Sequence, residues 1–510
     1  MIPRRTRAAL AVTIAVLAAL PVALTRQHRR PGRAERPHRH PVSATGRAGR
    51  NLELARMGVG LGATYASVGA RKLFADAERR VALDDELKLR SAEQVAERLG
   101  HMKGALMKVG QMASYLDDGL PEPVRLALAE LQANAPPMSG DLAAEVVERE
   151  LGAPPEKVFA QWDPDPIAAA SIGQVHRAVL LDPLTGHERA VAVKVQYPGV
   201  GDAIAADLRN TDLLGMILAQ GFAGLDPTEL VAEIKDRLTE ELDYTRERHN
   251  QQQFADFFRD HPFIHIPDVV PSHCTSRILT TELASGATWA EALTWSQAER
   301  DLIGETLFRF VFRSLYHMLA FNGDPHPGNY LFHGEGRVTF LDFGLVRYFS
   351  AEELHLFETM VRAAAVDQDA ATFRAAVEDG GLLRRSAPVS TADVGAYFRD
   401  FYSAVADDRT MTWTKEYASS IVRHTFNRSS PIANYASVPR AFVFIQRINL
   451  GLYALLGDLG ATGNYRRIAE ELWPFANGGP SSPLGELEHR WLAERPKPER
   501  ARPHERSIPR

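Results

Sequence analysis

Cysteine is nearly absent from this chain, because Cys274 is the single one among 510 residues. One cysteine excludes an intramolecular disulfide and any metal site built from several thiolates, and it suits a reducing compartment. A strong charge imbalance is also missing: the net charge is −5, so the overall composition does not point to a nucleic-acid partner. With 45% hydrophobic and 24% charged residues, the chain has the balance of a globular protein of two or three domains.

Long hydrophobic runs are equally scarce. The run at residues 8–25 holds 18 residues without a charge and is flanked by basic stretches. Eighteen residues is about the minimum for a membrane span. A cleaved signal peptide and an overlong gene model are the competing interpretations. If the run is a span, the arginines around it predict that the long C-terminal part lies in the cytoplasm, associated with the membrane.

Hydrophobic periodicity divides the remainder of the chain. After a membrane anchor or targeting segment at 1–45, a helix-rich extension is predicted over 46–157. Strands dominate the pattern early in 158–284, whereas 285–478 is mainly helical. The tail at 479–510 is rich in Pro, Arg and Glu and is predicted to be disordered. Strands early and helices late indicate an α+β fold with a small mixed lobe and a larger helical lobe.

The chemistry of phosphoryl transfer is suggested by GDPHPGN and LDFGL. Asp324 and Asn329, five residues apart, place a carboxylate base and an amide ligand on one loop. Asp342 follows the strand-like RVTFL and can face a metal ion from a strand end. Asp-Phe-Gly alone is a weak signal, but the two elements together have the spacing of a kinase catalytic loop and its metal-binding motif. A turn-forming role for Asp324 before Pro325 is the alternative.

Lys194 lies in the alternating strand AVAVKVQ, where a phosphate-binding lysine would be expected. Such a lysine needs a carboxylate partner, and the candidates in EELDYTRERHN are Glu241, Asp243 and Glu247. Asp243 and Glu247 are four residues apart, so we expect them to share a helix face while Glu241 points elsewhere. The alternative to this pairing is that Lys194 and the acidic residues are simply exposed to solvent.

The loop before Lys194, AAASIGQVHRA, has little glycine where a nucleotide-binding loop is usually rich in it. Glycine permits positive φ and close backbone approach to phosphates, and alanine restricts both. We therefore expect a stiffer loop that holds a nucleotide in a different pose. The predicted nucleotide-binding positions are Ala168, Ala169, Ala170, Ser171, Ile172, Gly173 and Gln174.

Six segments occur in a characteristic order: MKVGQMAS, AAASIGQVHRA, VAVKVQYPGV, EELDYTRERHN, GDPHPGNYLF and LDFGLV. Together they closely resemble the UbiB/AarF family of atypical protein-kinase-like proteins, from about residue 47 to about residue 450. The resemblance implies a two-lobe protein-kinase-like fold with an N-terminal helical extension. It also implies that the K-x-G-Q element of that extension, with Lys108, Gly110 and Gln111, lies across the site where a protein substrate would bind.

The resemblance assigns a role to each matching residue. Lys194 and Glu247 look like the phosphate lysine and its partner, and Asp324 looks like the catalytic aspartate. Asn329 and Asp342 look like the Mg²⁺ ligands. The other positions are Glu241 and Asp243, which resemble the pair that holds the extension near Lys108, and Glu282 and Leu283, which fall at the hinge to the adenine.

Two departures from the family pattern stand out. Asn322 and Gly323 replace the His-Ala that usually precedes the catalytic aspartate, which puts the packing behind that loop in question. Arg248 stands where the family usually has alanine.

The function implied is an ATP-binding, Mg²⁺-dependent atypical kinase or ATPase acting at a membrane in isoprenoid-quinone or lipid metabolism. Its expected partners are a nucleotide, a lipid or isoprenoid-quinone ligand, the membrane surface and other biosynthetic enzymes. A small-molecule phosphotransferase of the aminoglycoside or choline kinase type is one alternative, although those enzymes lack the alanine-rich loop and K-x-G-Q. A nucleotide-binding pseudokinase scaffold is another alternative. A lipid-transfer or chaperone role driven by ATP would be intermediate between the membrane ATPase and the scaffold.

Overall fold

The computed structural model describes residues 139–495 apart from 171, 183–184, 202–241, 427–431, 433–434 and 436–439. The segment predicted at 1–45, most of the extension at 46–157 and its K-x-G-Q element therefore lie outside the described residues. None of the described helices is long and apolar enough to cross a bilayer. The span predicted at residues 8–25 stays a prediction, because it lies outside the described part of the chain.

The strands and helices follow the predicted order, strands first and helices later. The strands are β1 (Gln161–Ala169), β2 (Gly173–Leu181), β3 (Glu188–Gln196), β4 (Ile264–His265), β5 (Ile278–Glu282), β6 (Ala320–Asn322), β7 (Tyr330–Phe332), β8 (Val338–Phe340), β9 (Val346–Tyr348), β10 (Met411–Thr412) and β11 (Thr462–Gly463). The α-helices are α1 (Gly140–Leu151), α2 (Pro155–Val158), α3 (Tyr244–Phe257), α4 (Trp289–Ala292), α5 (Gln297–Met318), α6 (Ala351–Val361), α7 (Ala370–Asp379), α8 (Thr391–Ala406), α9 (Lys415–Phe426), α10 (Arg440–Leu459), α11 (Tyr465–Leu472) and α12 (Pro483–Glu494).

The first lobe is an antiparallel sheet in the order β1-β2-β3-β5. Strand β3 alternates, so Val191, Val193 and Val195 are fully buried and pack with Val147 of α1. Helix α1 ends at Gly152, whose φ of 81° lies in the left-handed region that glycine adopts without strain.

The second lobe is built around α5, which is buried along most of its length. A two-stranded sheet of β6 and β9 and a three-stranded sheet in the order β4-β8-β7 lie near this helix. The pairing Asn322↔Val346 brings the segment before Asp324 next to the segment after Asp342. Two motifs that are 18 residues apart in the sequence are thereby placed side by side.

The prediction of a disordered tail over 479–510 is wrong for residues 483–494. Ser482 caps α12 by accepting the N–H of Gly485, and Pro483 occupies the first helical position. Leu484, Glu488 and Trp491 are buried, and the Trp491 indole N–H donates to the carbonyl of Arg259 at 3.1 Å. The Pro, Arg and Glu content of the tail obscured an amphipathic repeat at helical spacing.

Candidate active site

Lys194 and Glu247 form an ion pair between the sheet and α3. The lysine Nζ lies 2.7 Å and 2.8 Å from the two carboxylate oxygens of Glu247. The sequence predicted a carboxylate partner for Lys194 and offered Glu241, Asp243 and Glu247. The partner in the structure is Glu247. The partners are 53 positions apart in the sequence, so this contact is made by the tertiary fold.

Asp342 completes a group of charges around this lysine. Its Oδ2 lies 3.8 Å from Lys194 Nζ, and the ammonium also sits 5.1 Å from the centre of the Tyr244 ring. Burial alone would lower the pKa of Lys194, but the carboxylates of Glu247 and Asp342 outweigh it and raise the pKa above its ordinary value. The lysine is therefore a fixed positive charge at neutral pH.

Strand alternation decides which side chains share the face of Lys194. Val175 pairs with Lys194 across β2 and β3, and Ala192 lies two residues before it on the same face. Gln174 instead pairs with Val195 on the opposite face, where it is fully buried and its amide contacts His176 at 2.9 Å. A period of two therefore places the Gln174 side chain on the core face, so the predicted role of Gln174 in nucleotide binding could be met only by its backbone.

The alanine-rich segment is a tight turn rather than an extended loop. Ala168 and Ala169 already belong to β1, and Gly173 begins β2. The turn closes with the N–H of Ala170 donating to the carbonyl of Gly173 at 2.9 Å, while Ile172 is buried. The loop predicted over seven residues thus shortens to three, of which Ser171 lies outside the described residues.

Gly173 is required by close packing. A Cβ at this position would lie 2.3 Å from the carbonyl oxygen of Val195 and 2.8 Å from the Tyr244 hydroxyl. Real side chains do not approach a backbone oxygen so closely, so only glycine fits without moving β3. The single glycine kept in AAASIGQV is explained by the approach of β2 to β3 beside Lys194.

The loop that carries Asp324 and Asn329 is fixed by its own hydrogen bonds. Asn329 donates through Nδ2 to the carbonyl of Asp324 at 3.0 Å and to its carboxylate at 3.2 Å. His326 accepts the N–H of Gly328 at 3.1 Å, which caps the short 3₁₀ turn leading to Asn329. These bonds leave the amide oxygen of Asn329 as the atom suited to a metal ion.

Asn322 connects this loop to the Asp-Phe-Gly segment. Its Nδ2 donates to the carbonyl of Asp342 at 2.8 Å, and the Asp342 carboxylate accepts the N–H of Gly344 at 2.8 Å. From the other side, Asn250 on α3 donates to the carbonyl of Phe343 at 2.9 Å. Asn322 departs from the family pattern, but its short amide side chain still links the loop of Asp324 to the backbone of Asp342.

The hinge positions lie at the end of β5, next to β3. Glu282 uses its N–H to bind the carbonyl of Asp268 at 2.8 Å, and Leu283 uses its N–H to bind the carbonyl of Ala190 at 3.1 Å. Both backbone donors are thus engaged within the protein. They are therefore not available to the adenine ring nitrogens, whereas an adenine amino group would donate to carbonyl oxygens there.

Of the residues expected to hold the extension, only Asp243 is described. It is the N-cap of α3, where its Oδ1 accepts the N–H of Thr245 at 2.9 Å and its hydroxyl at 2.6 Å. Asp243 therefore lies before the helix instead of on the helix face of Glu247. Glu241, Lys108, Gly110 and Gln111 lie outside the described residues, and their regulatory role stays a prediction.

The donor set suits Mg²⁺ that is shared with phosphates. No group of three or more His, Cys, Asp or Glu side chains with metal-binding geometry occurs in the part of the chain that the structure describes. Mg²⁺ is commonly held by one or two carboxylates together with substrate phosphates and water. Asp342, whose side chain is 34% exposed, and the amide oxygen of Asn329 provide ligands of this kind.

Three supporting roles were not assigned by the sequence reasoning, although it noted Asn322 as a departure from the family pattern. Tyr244 lies beside Lys194, Asn250 holds Phe343, and Asn322 holds Asp342. Tyr244 and Asn250 belong to the same helix as Glu247, at spacings of three residues to either side, so helical periodicity around Glu247 was the available signal.

Comparisons with known proteins find relatives among the ABC1-type atypical kinases. A family model described as "ABC1 atypical kinase-like domain" matches residues 130–376. The mitochondrial atypical kinase COQ8B of Rattus norvegicus is 35% identical over 313 residues, which cover 61% of this chain and 58% of the rat protein. The mitochondrial atypical kinase COQ8 of Saccharomyces cerevisiae is 26% identical over 394 residues, or 75% of this chain and 76% of the yeast protein.

Coverage of the relatives is uneven. A chloroplastic Arabidopsis thaliana protein, ACTIVITY OF BC1 COMPLEX KINASE 1, is 34% identical over 294 residues, and the chain spans 42% of its length. Among solved structures, that of Mycobacterium tuberculosis Rv3197 with erythromycin has a TM-score of 0.56 and 30% identity. It covers 78% of this chain and 100% of the mycobacterial chain, and the kinase-like α+β prediction is confirmed.

Proposed function

Because the chain belongs to the UbiB/AarF family of atypical kinases and carries its ABC1 domain, we propose that it binds ATP with Mg²⁺ and cleaves the γ-phosphate at a membrane. The proposed setting is isoprenoid-quinone or lipid metabolism. The observation that carries the proposal is the Lys194–Glu247 ion pair beside Asp342. It presents one fixed cation and one accessible carboxylate on the face of the sheet that a nucleotide would approach.

Each residue has a task set by its surroundings. The Lys194 ammonium would bind the α- and β-phosphates, and Glu247 fixes its position. Asp342 and Asn329 would hold Mg²⁺, which supplies positive charge to the phosphates when bound. Asp324, buried and 3.2 Å from the Asn329 amide, would orient the attacking hydroxyl or water and accept its proton.

The acceptor is proposed to be water, or a small or lipidic molecule, rather than another protein in trans. This follows from the family resemblance, in which the K-x-G-Q segment with Lys108 covers the protein-substrate site. The stiff turn after β1 also supports a nucleotide pose unlike that of protein kinases. A lipid or isoprenoid-quinone ligand and associated biosynthetic enzymes are proposed as partners.

The two alternatives differ from this proposal in testable ways. A phosphotransferase of the aminoglycoside or choline kinase type would require a soluble small acceptor for turnover. A pseudokinase scaffold would bind nucleotide without turnover. The ordered ion pair and the bonded catalytic loop favour an active enzyme over a scaffold, since a scaffold has no need for them.

ATP turnover by the full chain is the direct test. We expect Asp342→Asn to lower turnover by about 100-fold or more, because an amide replaces the charged metal ligand. Phosphate release would be measured with and without Mg²⁺ and with and without vesicles of anionic phospholipid. The exposed Asp379→Asn serves as the control and should keep full turnover.

The outcomes separate the hypotheses. Mg²⁺-dependent turnover that requires Asp342 and rises with vesicles supports a membrane-coupled ATPase. Nucleotide binding without turnover under every condition would reject the enzyme proposal in favour of a scaffold. Turnover that appears only with a soluble amine or alcohol acceptor would favour the small-molecule phosphotransferase.

The alanine-rich turn can be tested separately with Ala169→Gly. Glycine in a strand costs about 0.5–1 kcal/mol of stability and adds backbone freedom next to the turn. We expect both nucleotide affinity and turnover to change, measured by nucleotide titration and phosphate release. Ala371→Gly on α7 is the control, since it has a similar stability cost in the other lobe. Unchanged affinity and turnover in Ala169→Gly would contradict the role of the turn.

A further inference from the structure

The helical lobe contains a cavity that the proposed phosphoryl chemistry does not use. Its volume is about 190 Å³, and its walls come from α5, α6, α8, α9, α10 and α11. For comparison, an apolar cavity of about 150 Å³ in another protein stays dry and admits benzene. The cavity is therefore large enough for an apolar ligand of more than one ring's size.

Charge is missing from the described lining. The walls are aliphatic and aromatic, with Phe312, Phe357 and Phe401 among them, and no Asp, Glu, Lys, Arg or His belongs to the lining that the structure describes. A carboxylate or phosphate group would lose its hydration there and gain no ionic partner. The chemistry of the walls selects an uncharged molecule.

A small polar group nevertheless has partners here. Asn449 on α10 lines the cavity, and its Oδ1 is buried without a hydrogen-bond partner. Leaving a buried acceptor unsatisfied is costly, and a ligand hydroxyl that donated to it would remove the cost. The phenols of Tyr316, Tyr402 and Tyr453 also line the cavity, and they lie near enough to one another to influence their ionisation.

Helix α10 connects the cavity to the catalytic loop. Gly451, two residues after Asn449, faces Pro325, and a Cβ on Gly451 would lie 2.3 Å from the proline Cγ. Pro325 directly follows Asp324 in the chain. One helix thus lines the cavity with Asn449 and Tyr453 and packs against the segment that carries the proposed base.

We propose that this cavity binds an uncharged, hydroxyl-bearing lipid, of the class of prenyl or alkyl alcohols, and that its occupancy adjusts the catalytic loop through α10. The apolar chain packs among the aromatic walls, and the hydroxyl donates to Asn449. The regulatory half rests on the proposed ATP turnover, whereas the binding half does not.

Binding is tested on the full chain with geraniol as the probe. Its methyl ether has the same carbon chain but no hydroxyl hydrogen, and geranate carries a charge. By calorimetry below the solubility limit, we expect one geraniol per chain and weaker binding of the ether by about 5- to 10-fold. Geranate should bind more weakly still.

Two variants identify the site. Ala404→Phe fills the cavity and should weaken geraniol binding by about 10-fold or more, whereas Ala371→Phe on the exposed face of α7 should not. Asn449→Leu should bind geraniol and its ether equally well. If Ala404→Phe does not fold, Leu450→Phe replaces it as a milder filling of the same cavity.

Absence of geraniol binding, or binding that neither filling variant weakens, overturns the proposed site. Equal binding of alcohol and ether by the unaltered chain overturns the role of Asn449, and tight geranate binding overturns the selection for uncharged ligands. Geraniol-dependent turnover that Ala404→Phe abolishes supports the regulatory half. Site-specific binding with unchanged turnover overturns that half alone, and failure of turnover itself would be seen without geraniol.

Discussion

Two groups of opposite charges stabilise different parts of this protein, and they differ in what they leave open. At the candidate site, Lys194 pairs with Glu247, while Asp342 keeps a side chain 34% exposed. In the helical lobe, Arg309 contacts Glu305, Glu471 and Glu488 at 2.7–2.9 Å, and its side chain has no exposed surface. The group at the candidate site keeps one carboxylate that solvent can reach. In the group of the helical lobe, the Arg309 guanidinium is paired entirely with largely buried carboxylates.

The buried group has a structural task. Arg313 also contacts Glu488, at 2.9 Å, so two arginines of α5 hold one carboxylate of α12. Glu488 is 1% exposed, and although burial raises the pKa of its carboxyl, the hydrogen bond from His261 and the charges of Arg313 and Arg309 together lower it. The comparison teaches that an ion pair by itself does not mark an active site. A site also needs a member of the group that solvent can reach.

The largest effect is expected from Glu488→Gln. The substitution removes the charge that α12 supplies to two buried arginines, and breaking a buried pair typically costs about 3–5 kcal/mol. The free energy of unfolding would be measured by urea titration. The exposed Glu494→Gln at the end of the same helix is the control and should change stability by less than about 0.5 kcal/mol. A loss in Glu488→Gln no larger than the control would show that the cluster does not anchor α12.

Glu247→Gln, at the candidate site, should lower stability less than Glu488→Gln but should lower turnover strongly. Lys194 keeps Asp342 at 3.8 Å, so the folded state loses less than in Glu488→Gln. Turnover should fall by about 100-fold, because the lysine is no longer held in position. Phosphate release and urea unfolding measure the two quantities. Asp256→Asn, on the exposed face of α3, is the control, and equal stability losses at Glu247 and Glu488 would remove the distinction.

The smallest effect concerns pH. Ile264 donates its N–H to His261 Nδ1 at 3.1 Å, and Nε2 lies 3.4 Å from Glu488, so the neutral imidazole fits both partners. Burial lowers the pKa of His261. The hydrogen bond to Glu488 raises this pKa, whereas the positive charges of Arg313 and Arg309 lower it further.

The sign of the pH dependence follows from that lowered pKa. The unfolded chain takes up a proton near pH 6.5 that the folded protein resists, so stability should fall as the pH drops from about 7 towards 5. His261→Asn keeps an acceptor but does not titrate, and it should reduce this slope in thermal melts, while His317, whose pKa burial also lowers, keeps part of it. The exposed His489→Gln should leave the slope unchanged, and an unaltered slope in His261→Asn would assign the titration elsewhere.

Local patterns were sufficient for much of the site. Asp324, Asn329 and Asp342 could be located because kinase-like chemistry needs these side chains at this spacing, and Lys194 because a strand lysine directly after the alanine-rich loop is placed to reach the phosphates. The helix stop at Gly152 was equally local, since left-handed backbone favours glycine. Such features depend on neighbours within one element, and the order of residues specifies them.

Other features needed the folded chain. Gln174 is adjacent to the turn in sequence, but strand register turned its side chain to the core. The tail looked disordered by composition, yet α5 supplied the two arginines and the apolar surface that hold α12 in place. Neither result could be obtained from a local window, because the deciding partners are distant in the chain.

The sequence by itself determined which side chains carry charge, which loop carries the proposed base and metal ligands, and to which family they correspond. The tertiary structure decided the partners: Glu247 for Lys194, Asn322 for the backbone of Asp342, and Val195 as the close neighbour that requires Gly173. The physical reason is that residue types are local properties, whereas burial, distance and register arise only when remote segments pack together.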